Sequence, residues 1–364
     1  MRQISLLIKP ASSLCNMRCS YCFYKDEADL RQQANMGIMK NETIEIMIKK
    51  VMALNVIQIN FCFQGGEPTL ATIEYFNYFI DCVNKYNNGK AISYAIQTNG
   101  LALNESWFDL FKKYQFLVGI SLDGFMENHD KNRQDVLKRG TFDIVLKNIK
   151  RMEELHIDYN ILTVLTHQLS KQPKRLFEFY STHHFKYVQL IPCLPSLDLE
   201  SSTDIYALQP HDFANFYKLF FDCWYEQYQK GNYISVTLFD QLVPMCLGVA
   251  PTLCGMLGKC HMQIVVEGDG SIYPCDFYAL DNYYCGNINE NSIEEILNNE
   301  KAISFVNEKR NVSDICKGCK YFKMCYGYCK RVNVCLKNND YCGYQEFLDY
   351  AYDRFVEIAR KLRS

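Results

Sequence analysis

Eighteen cysteines stand in this chain of 364 residues, and what they bind constrains its fold more than any other feature. Three of them form Cys15-x3-Cys19-x2-Cys22, and ten fall between Leu253 and Gly343 among scattered glycines and prolines. A secreted disulfide framework is the competing account. It fits poorly, because such frameworks belong to short extracellular chains. The apolar opening is broken by Ser5 and stopped by Lys9 and Pro10, too short for a signal-peptide core. No apolar run approaches the ~18–20 residues that a membrane span needs. These features predict a cytoplasmic protein without a membrane partner, whose clustered thiols hold metal or do redox work. With 48% hydrophobic and 14% aromatic residues the chain can bury a large core, which excludes an intrinsically disordered reading. Lys and Arg number 39 against 41 Asp and Glu, and without a basic excess a nucleic-acid partner is not expected.

The first two-thirds alternates short β-rich runs with helical patterns, the mark of an α/β fold. Candidate strands are Ser5–Lys9, Ile57–Gln64, Ala91–Thr98, Phe116–Asp123, Tyr159–Leu165 and Tyr187–Pro192. Between them Ile44, Met47, Ile48, Val51 and Met52 have helical spacing after a cap expected at Asn41. Ile73, Phe76, Ile80 and Val83 form a second stripe, and Phe142, Val145, Leu146, Ile149 and Met152 a third. Six such units predict a parallel sheet, open barrel or doubly wound, with its chemistry at the C-terminal strand ends. Near residue 235 the alternation stops, which divides the chain into 1–234 and 235–364. In the second part Val265–Pro274 reads as a hairpin turning at Asp269-Gly270. Phe347, Ala351, Phe355, Ile358 and Leu362 predict a closing helix that packs on the core.

Three thiolates in one tight loop could hold zinc if a fourth ligand arrived, but the first histidine of the chain is His129. On a [4Fe–4S] cube three cysteines leave one iron open to a substrate or cofactor, and the spacing favours that reading over zinc or incidental thiols. Gly65-Gly66-Glu67-Pro68 follows the second strand. Paired glycines let a backbone edge approach a ligand, and a carboxylate beside them can accept from an ammonium group. An ordinary strand-to-helix turn would look the same. Eight further cysteines, Cys254, Cys260, Cys275, Cys316, Cys319, Cys325, Cys329 and Cys342, are the number that two fully ligated cubes require. Four-thiolate zinc sites remain open on spacing alone.

The Cys15/Cys19/Cys22 motif, with Tyr21 before its last cysteine, resembles the radical S-adenosylmethionine superfamily. That resemblance implies a partial (β/α)6 barrel and S-adenosylmethionine chelated to the open iron. It further implies cleavage of the cofactor to a 5′-deoxyadenosyl radical. The later cysteines are similar to the SPASM domain, which carries two auxiliary clusters, so the resemblance implies three [4Fe–4S] clusters in all. It would place Cys254, Cys260, Cys275 and Cys329 on the nearer auxiliary cluster and Cys316, Cys319, Cys325 and Cys342 on the outer one.

Over almost its whole length the chain resembles the anaerobic sulfatase-maturating enzymes. The matching segments are Leu7–Ser13, Cys22-Phe23-Tyr24, Phe63–Leu70, Gln97–Gly100, Ser121 with Asp123-Gly124, and Tyr273–Tyr278. Such enzymes oxidise a cysteine or serine of a sulfatase to formylglycine. The resemblance implies an unfolded sulfatase or peptide as substrate and a reduced donor such as ferredoxin or flavodoxin. It makes Tyr21, Gly65, Gly66, Glu67, Ser121, Arg133 and Leu194 contacts to S-adenosylmethionine. It also makes Asp276, beside Cys275, the base that takes the substrate proton; alone, that residue reads as a loop aspartate bonding its own backbone. Cys62 and the segment Pro192–Asp204 depart from the family pattern. Of the seven other cysteines, Cys82 and Cys223 read as small core residues. Two alternatives stay open: a maturase that cross-links ribosomal peptides, and a cysteine-rich metal scaffold without catalysis.

Overall fold

The computed structural model describes residues 2–198, 203–309 and 312–363. Of the divergent segment Pro192–Asp204, residues 199–202 lie outside those described. The chain forms two compact units, one of Met1–Ser121, Asp130–Tyr159 and His261–Glu308, the other of Leu122–His129, Asn160–Cys260 and Lys309–Ser364.

The first unit is built on a sheet of β1 (Gln3–Ile8), β3 (Gln58–Phe63), β4 (Ala91–Thr98) and β5 (Leu117–Ser121), extended by β10 (Val265–Val266) and β11 (Ile272–Tyr273). The order is β11-β10-β1-β3-β4-β5. Every pair is parallel except β10 with β11, the expected hairpin. Because β10 pairs with β1, residues beyond 235 complete this sheet, and neither unit coincides with 1–234 or 235–364. A short antiparallel ribbon, β2 (Met17–Cys19) with β6 (Arg133–Asp135), carries the middle cysteine of the first motif.

Alternation sets which strand residues face the core: Ile4, Leu6 and Ile8 of β1 and Ile59, Phe61 and Phe63 of β3 are buried. The helix Asn41–Met52 packs on the helix Thr72–Tyr86, and its stripe of Ile44, Met47, Ile48, Val51 and Met52 is fully covered. Asn41 is not its cap. Lys40 holds that position and no side chain caps the helix, so burial of the stripe, at up to ~1.5–3 kcal/mol per side chain, carries this segment. The helices Thr72–Tyr86 and Phe142–Glu154 follow the second and third stripes.

The second unit contains β7 (Tyr159–Leu165, from Asn160 on), β8 (Tyr187–Pro192) and β9 (Ser235–Val236), all parallel. The closing helix Gly343–Arg363 packs on Pro210–Gln229. Phe347, Ala351, Phe355 and Ile358 are buried there, whereas Leu362 is exposed because the helix has run past its partner's cover. The six anticipated strands are all present, shifted by at most two residues at their ends.

Candidate active site

The functional side chains of the first unit gather where its parallel strands end. After β1 the chain turns through Ser12 and Leu14 into Cys15; after β3 it turns through Gly65 and Gly66 into Glu67. These two turns are stitched together, Gly66 N donating to Ser12 O (2.8 Å) and Glu67 N to Leu14 O (2.7 Å). A Cβ on Gly66 would fall 2.2 Å from Leu14 O, and Gly65 adopts φ +115°, so only glycine fits at both positions. The backbone they let approach is that of the cysteine loop itself.

Glu67 is 1% exposed and hydrogen-bonded through both carboxylate oxygens. Its Oε1 accepts from Thr69 N (3.1 Å), Thr69 Oγ1 (2.7 Å) and Thr98 Oγ1 (2.7 Å), and its Oε2 from Asn99 N (2.7 Å). Both oxygens serve donors of the neighbouring strand ends. The carboxylate expected to meet an ammonium group thus braces the β3 and β4 turns.

The thiols of the first motif have a polar surround. Cys15 Sγ faces Met17 N at 3.4 Å and Asn99 Nδ2 at 3.7 Å, and Cys19 Sγ faces Arg133 Nη1 at 3.8 Å. The Arg133 guanidinium lies 5.6 Å from the centroid of the Tyr21 ring. Burial pushes Cys15 up to about 11, and the nearby charges of Glu67 and Cys22 add to the rise. Such a thiol stays protonated until a metal takes the proton's place. Three sulfurs with N–H donors around them suit a cube, whose sulfurs and ligands are tuned by such contacts. Ser121 ends β5, half-buried. Leu194 belongs to the second unit, half-buried two residues after β8.

Asp276 follows β11 in a short helical turn and is 7% exposed. Its Oδ2 accepts from Tyr24 Oη (2.8 Å) and Gln64 Nε2 (2.6 Å), and Gln64 Nε2 also reaches Tyr24 Oη at 2.6 Å. Its Oδ1 is paired with the Lys9 ammonium at 3.2 Å. The role of a solitary turn aspartate is therefore excluded: its carboxylate is held by side chains from the ends of β1 and β3 and from the helix Phe23–Asp29.

Behind Asp276 lies a charge cluster that sequence reasoning missed. Lys9, the residue that ends the first apolar run, is 1% exposed and also pairs with Glu27 (3.3 Å) and Glu267 (3.6 Å). Arg31 pairs with Glu267 (2.7 Å) and Glu27 (3.6 Å), and its Nε donates to Ala279 O. Two cations thus face three carboxylates. Burial pushes Glu27 up to about 7 against the pull of Lys9, while Lys9 and Arg31 overcome burial to hold Glu267 below its usual range. Lys9 itself is raised by Glu27, Asp276 and Glu267, which outweigh its burial. Replacing Lys9 with Met should destabilise the protein by about 3–5 kcal/mol, the usual result of stranding buried partners, measurable by chemical denaturation. The sign of the pH dependence follows from Glu27. A carboxyl raised in the folded state binds its proton more tightly there, so its contribution falls as pH climbs from 4.5 toward 7. Loss of Lys9 lifts Glu27 further and extends that decline to higher pH.

The auxiliary cysteines divide between the units. Cys316, Cys319, Cys325 and Cys342 line one small apolar pocket with Ile315, Tyr321, Phe322 and Tyr344. Burial, with the charges of Cys342, Cys316 and Cys319 close by, pushes Cys325 up to about 12. Four thiols around one small pocket are as many as the ligand set of a cube requires. Among the described residues no three His, Cys, Asp or Glu side chains form a group suited to a single ion. Cys254, Cys260 and Cys329 also belong to the second unit, where a Cβ on Gly255 would lie 3.3 Å from Cys329 Cβ; Cys275 belongs to the first. Cys82 is buried as expected, but Cys223 is half-buried and lines an open groove with Lys174 and Glu226.

Two family models match the chain: the radical SAM superfamily over residues 10–180 and an iron–sulfur cluster-binding domain, SPASM, over 254–320. The chain is 38% identical over 370 residues to the cysteine-type anaerobic sulfatase-maturating enzyme of Clostridium perfringens, covering 100% of both chains. It belongs to the anaerobic sulfatase-maturating enzymes. It is 25% identical to the serine-type enzyme of Bacteroides thetaiotaomicron, over 91% of this chain and 83% of that one. The solved structure of native anSMEcpe with bound AdoMet and Cp18Cys peptide superposes with a TM-score of 0.91 at 37% identity, covering 99% of each chain. As a member of this family the chain is a radical S-adenosylmethionine enzyme that uses [4Fe–4S] clusters. No helix among the described residues is long and apolar enough to cross a membrane.

Proposed function

We propose that this sulfatase-maturating enzyme oxidises a peptidyl cysteine to formylglycine, with Asp276 as the base. The observation that carries the assignment is the state of the Asp276 carboxylate. Oδ2 is fixed by Tyr24 and Gln64, and Oδ1 faces the Lys9 ammonium at 3.2 Å, so three side chains hold the carboxylate at a defined position. Cys15, Cys19 and Cys22 would hold the cluster that binds S-adenosylmethionine, which would supply the radical that removes hydrogen from the substrate Cβ. Asp276 would then take the thiol proton, while the electron lost by the carbon centre would pass to the oxidised auxiliary cluster assigned to Cys254, Cys260, Cys275 and Cys329. The protein's part is to hold this carboxylate and to keep water away from it, and Lys9 and Tyr24 do both.

Cys15, Cys19 and Cys22 are assigned to the S-adenosylmethionine cluster, Cys254, Cys260, Cys275 and Cys329 to the nearer auxiliary cluster, and Cys316, Cys319, Cys325 and Cys342 to the outer one. Radical chemistry then falls in 1–234 and the auxiliary clusters in 235–364. Tyr21, Gly65, Gly66, Glu67, Ser121, Arg133 and Leu194 are assigned to the cofactor, and Glu67 also braces the turns around its pocket. A cysteine substrate is favoured over serine because identity to the cysteine-type relative exceeds that to the serine-type one. The electron donor is a reduced one-electron carrier.

A peptide containing Cys-x-Pro-x-Arg tests the reading. Oxidation removes two hydrogens, and hydrolysis of the thioaldehyde exchanges sulfur for oxygen, so the product should be about 18 Da lighter by the mass balance of that chemistry. The serine peptide should react poorly and would lose about 2 Da by the same balance. A wild type that cleaves the cofactor, leaves both peptides untouched and cross-links another would move the assignment to peptide cross-linking.

A further inference from the structure

The ribbon of β2 and β6 leaves the cluster loop in an unusual way. Cys19 stands in register with Arg133. Beyond Asp135 the chain turns back, and the turn is heavily braced. Asp135 Oδ1 accepts from Leu137 N (2.8 Å) and Arg139 N (2.9 Å), and Asp135 N donates to Arg139 O (3.0 Å). Lys138 N donates back to Asp135 O at 3.0 Å. On the tip of this fixed turn stand Val136 and Leu137, 53% and 67% exposed. A turn that merely reverses the chain carries polar residues there; paired, rigidly presented aliphatic side chains mark a contact surface.

Their surroundings are cationic. Arg18, on the partnering strand, and Lys131, Lys138 and Arg139 are all exposed. Arg139 pairs with Asp135 at 2.7 Å and Arg133 is buried, so the exposed positive rim rests on Arg18, Lys131 and Lys138 in a chain whose net charge is −2. An apolar centre within a positive rim complements an acidic protein with an apolar patch. The tip lies three residues beyond the register partner of Cys19, roughly 10 Å at ~3.3 Å per residue.

We propose that this ribbon tip is the docking surface for a small acidic one-electron carrier protein, which reduces the cluster assigned to Cys15, Cys19 and Cys22. The proposal rests on the function assigned above. The carrier gives up one electron and the cluster gains it; no bond is made or broken.

The test uses the reconstituted holoenzyme with reduced flavodoxin as the acidic carrier. Two double variants, Val136→Glu with Leu137→Glu and Lys131→Glu with Lys138→Glu, leave every assigned ligand and cofactor contact in place. Each should weaken flavodoxin binding at least tenfold in a direct titration. Flavodoxin-driven 5′-deoxyadenosine formation should slow to match, whereas the dithionite-driven rate should remain that of the wild type. Wild-type affinity should also fall as salt is raised. Unchanged flavodoxin affinity in both double variants would place the docking surface elsewhere. Equal losses with flavodoxin and dithionite would make the tip a structural support of the cluster loop, which also overturns the proposal. A wild type unable to form 5′-deoxyadenosine even with dithionite would remove the assigned function, and the docking proposal with it.

Discussion

Asp276→Asn should leave S-adenosylmethionine cleavage near the wild-type rate while aldehyde formation falls by ~10²–10⁴-fold, the usual worth of a positioned base. The amide keeps an oxygen for Tyr24 and Gln64, which donate at 2.8 and 2.6 Å, so the side chain can stay in place. What disappears is the lone pair at Oδ1, because an NH2 group stands there and accepts nothing. That NH2 also meets the Lys9 ammonium, now 3.2 Å from Oδ1, so iron content should be measured alongside both products. Loss of cofactor cleavage together with aldehyde would make Asp276 a structural anchor of the buried charge cluster. Full retention of both would place the base on another residue.

Replacing Cys15, Cys19 and Cys22 together with alanine should abolish 5′-deoxyadenosine formation and lower bound iron from about 12 to about 8 per chain, one cube's worth. The remaining eight assigned ligands are untouched by this change. Cys316, Cys319, Cys325 and Cys342 line a pocket within the other unit, so their cube should survive loss of the first. Iron and sulfide assays after anaerobic reconstitution decide the matter. Iron falling toward zero would mean that the clusters assemble interdependently, and unchanged iron would mean that the first motif holds none.

Much of the frame was legible because its causes are local. The alternation in β1 and β3 and the spacing of Ile44, Met47, Ile48, Val51 and Met52 reflect one buried face each, and sequence order alone displays that. Cys15-x3-Cys19-x2-Cys22 was legible for the same reason, since three ligands of one cube can come from one short loop. The helix begins at Asn41 without using it as a cap, because a favoured cap residue need not cap when packing already decides where a helix begins.

The surroundings of Asp276 depend on distance in space and had no such local signal. Lys9, Tyr24 and Gln64 belong to segments matched to the family, yet nothing in their spacing assigned them a task. Glu27, Arg31 and Glu267 look like ordinary charges on a chain with 80 charged residues of the four types. Their meaning comes from β10 pairing with β1, which brings residues 267 and 276 beside residue 9 and excludes water from the group. The role of Glu67 turned on tertiary structure in the same way: both its oxygens are taken by donors of its own turn and of the end of β4. By itself the sequence determined the strands and the family, and pointed to the candidate ligands, because these depend on residue type and short spacing. Only the tertiary structure decided which charges are buried together and which side chains hold Asp276, because burial and hydrogen bonding arise between segments up to 267 residues apart, from Lys9 to Asp276.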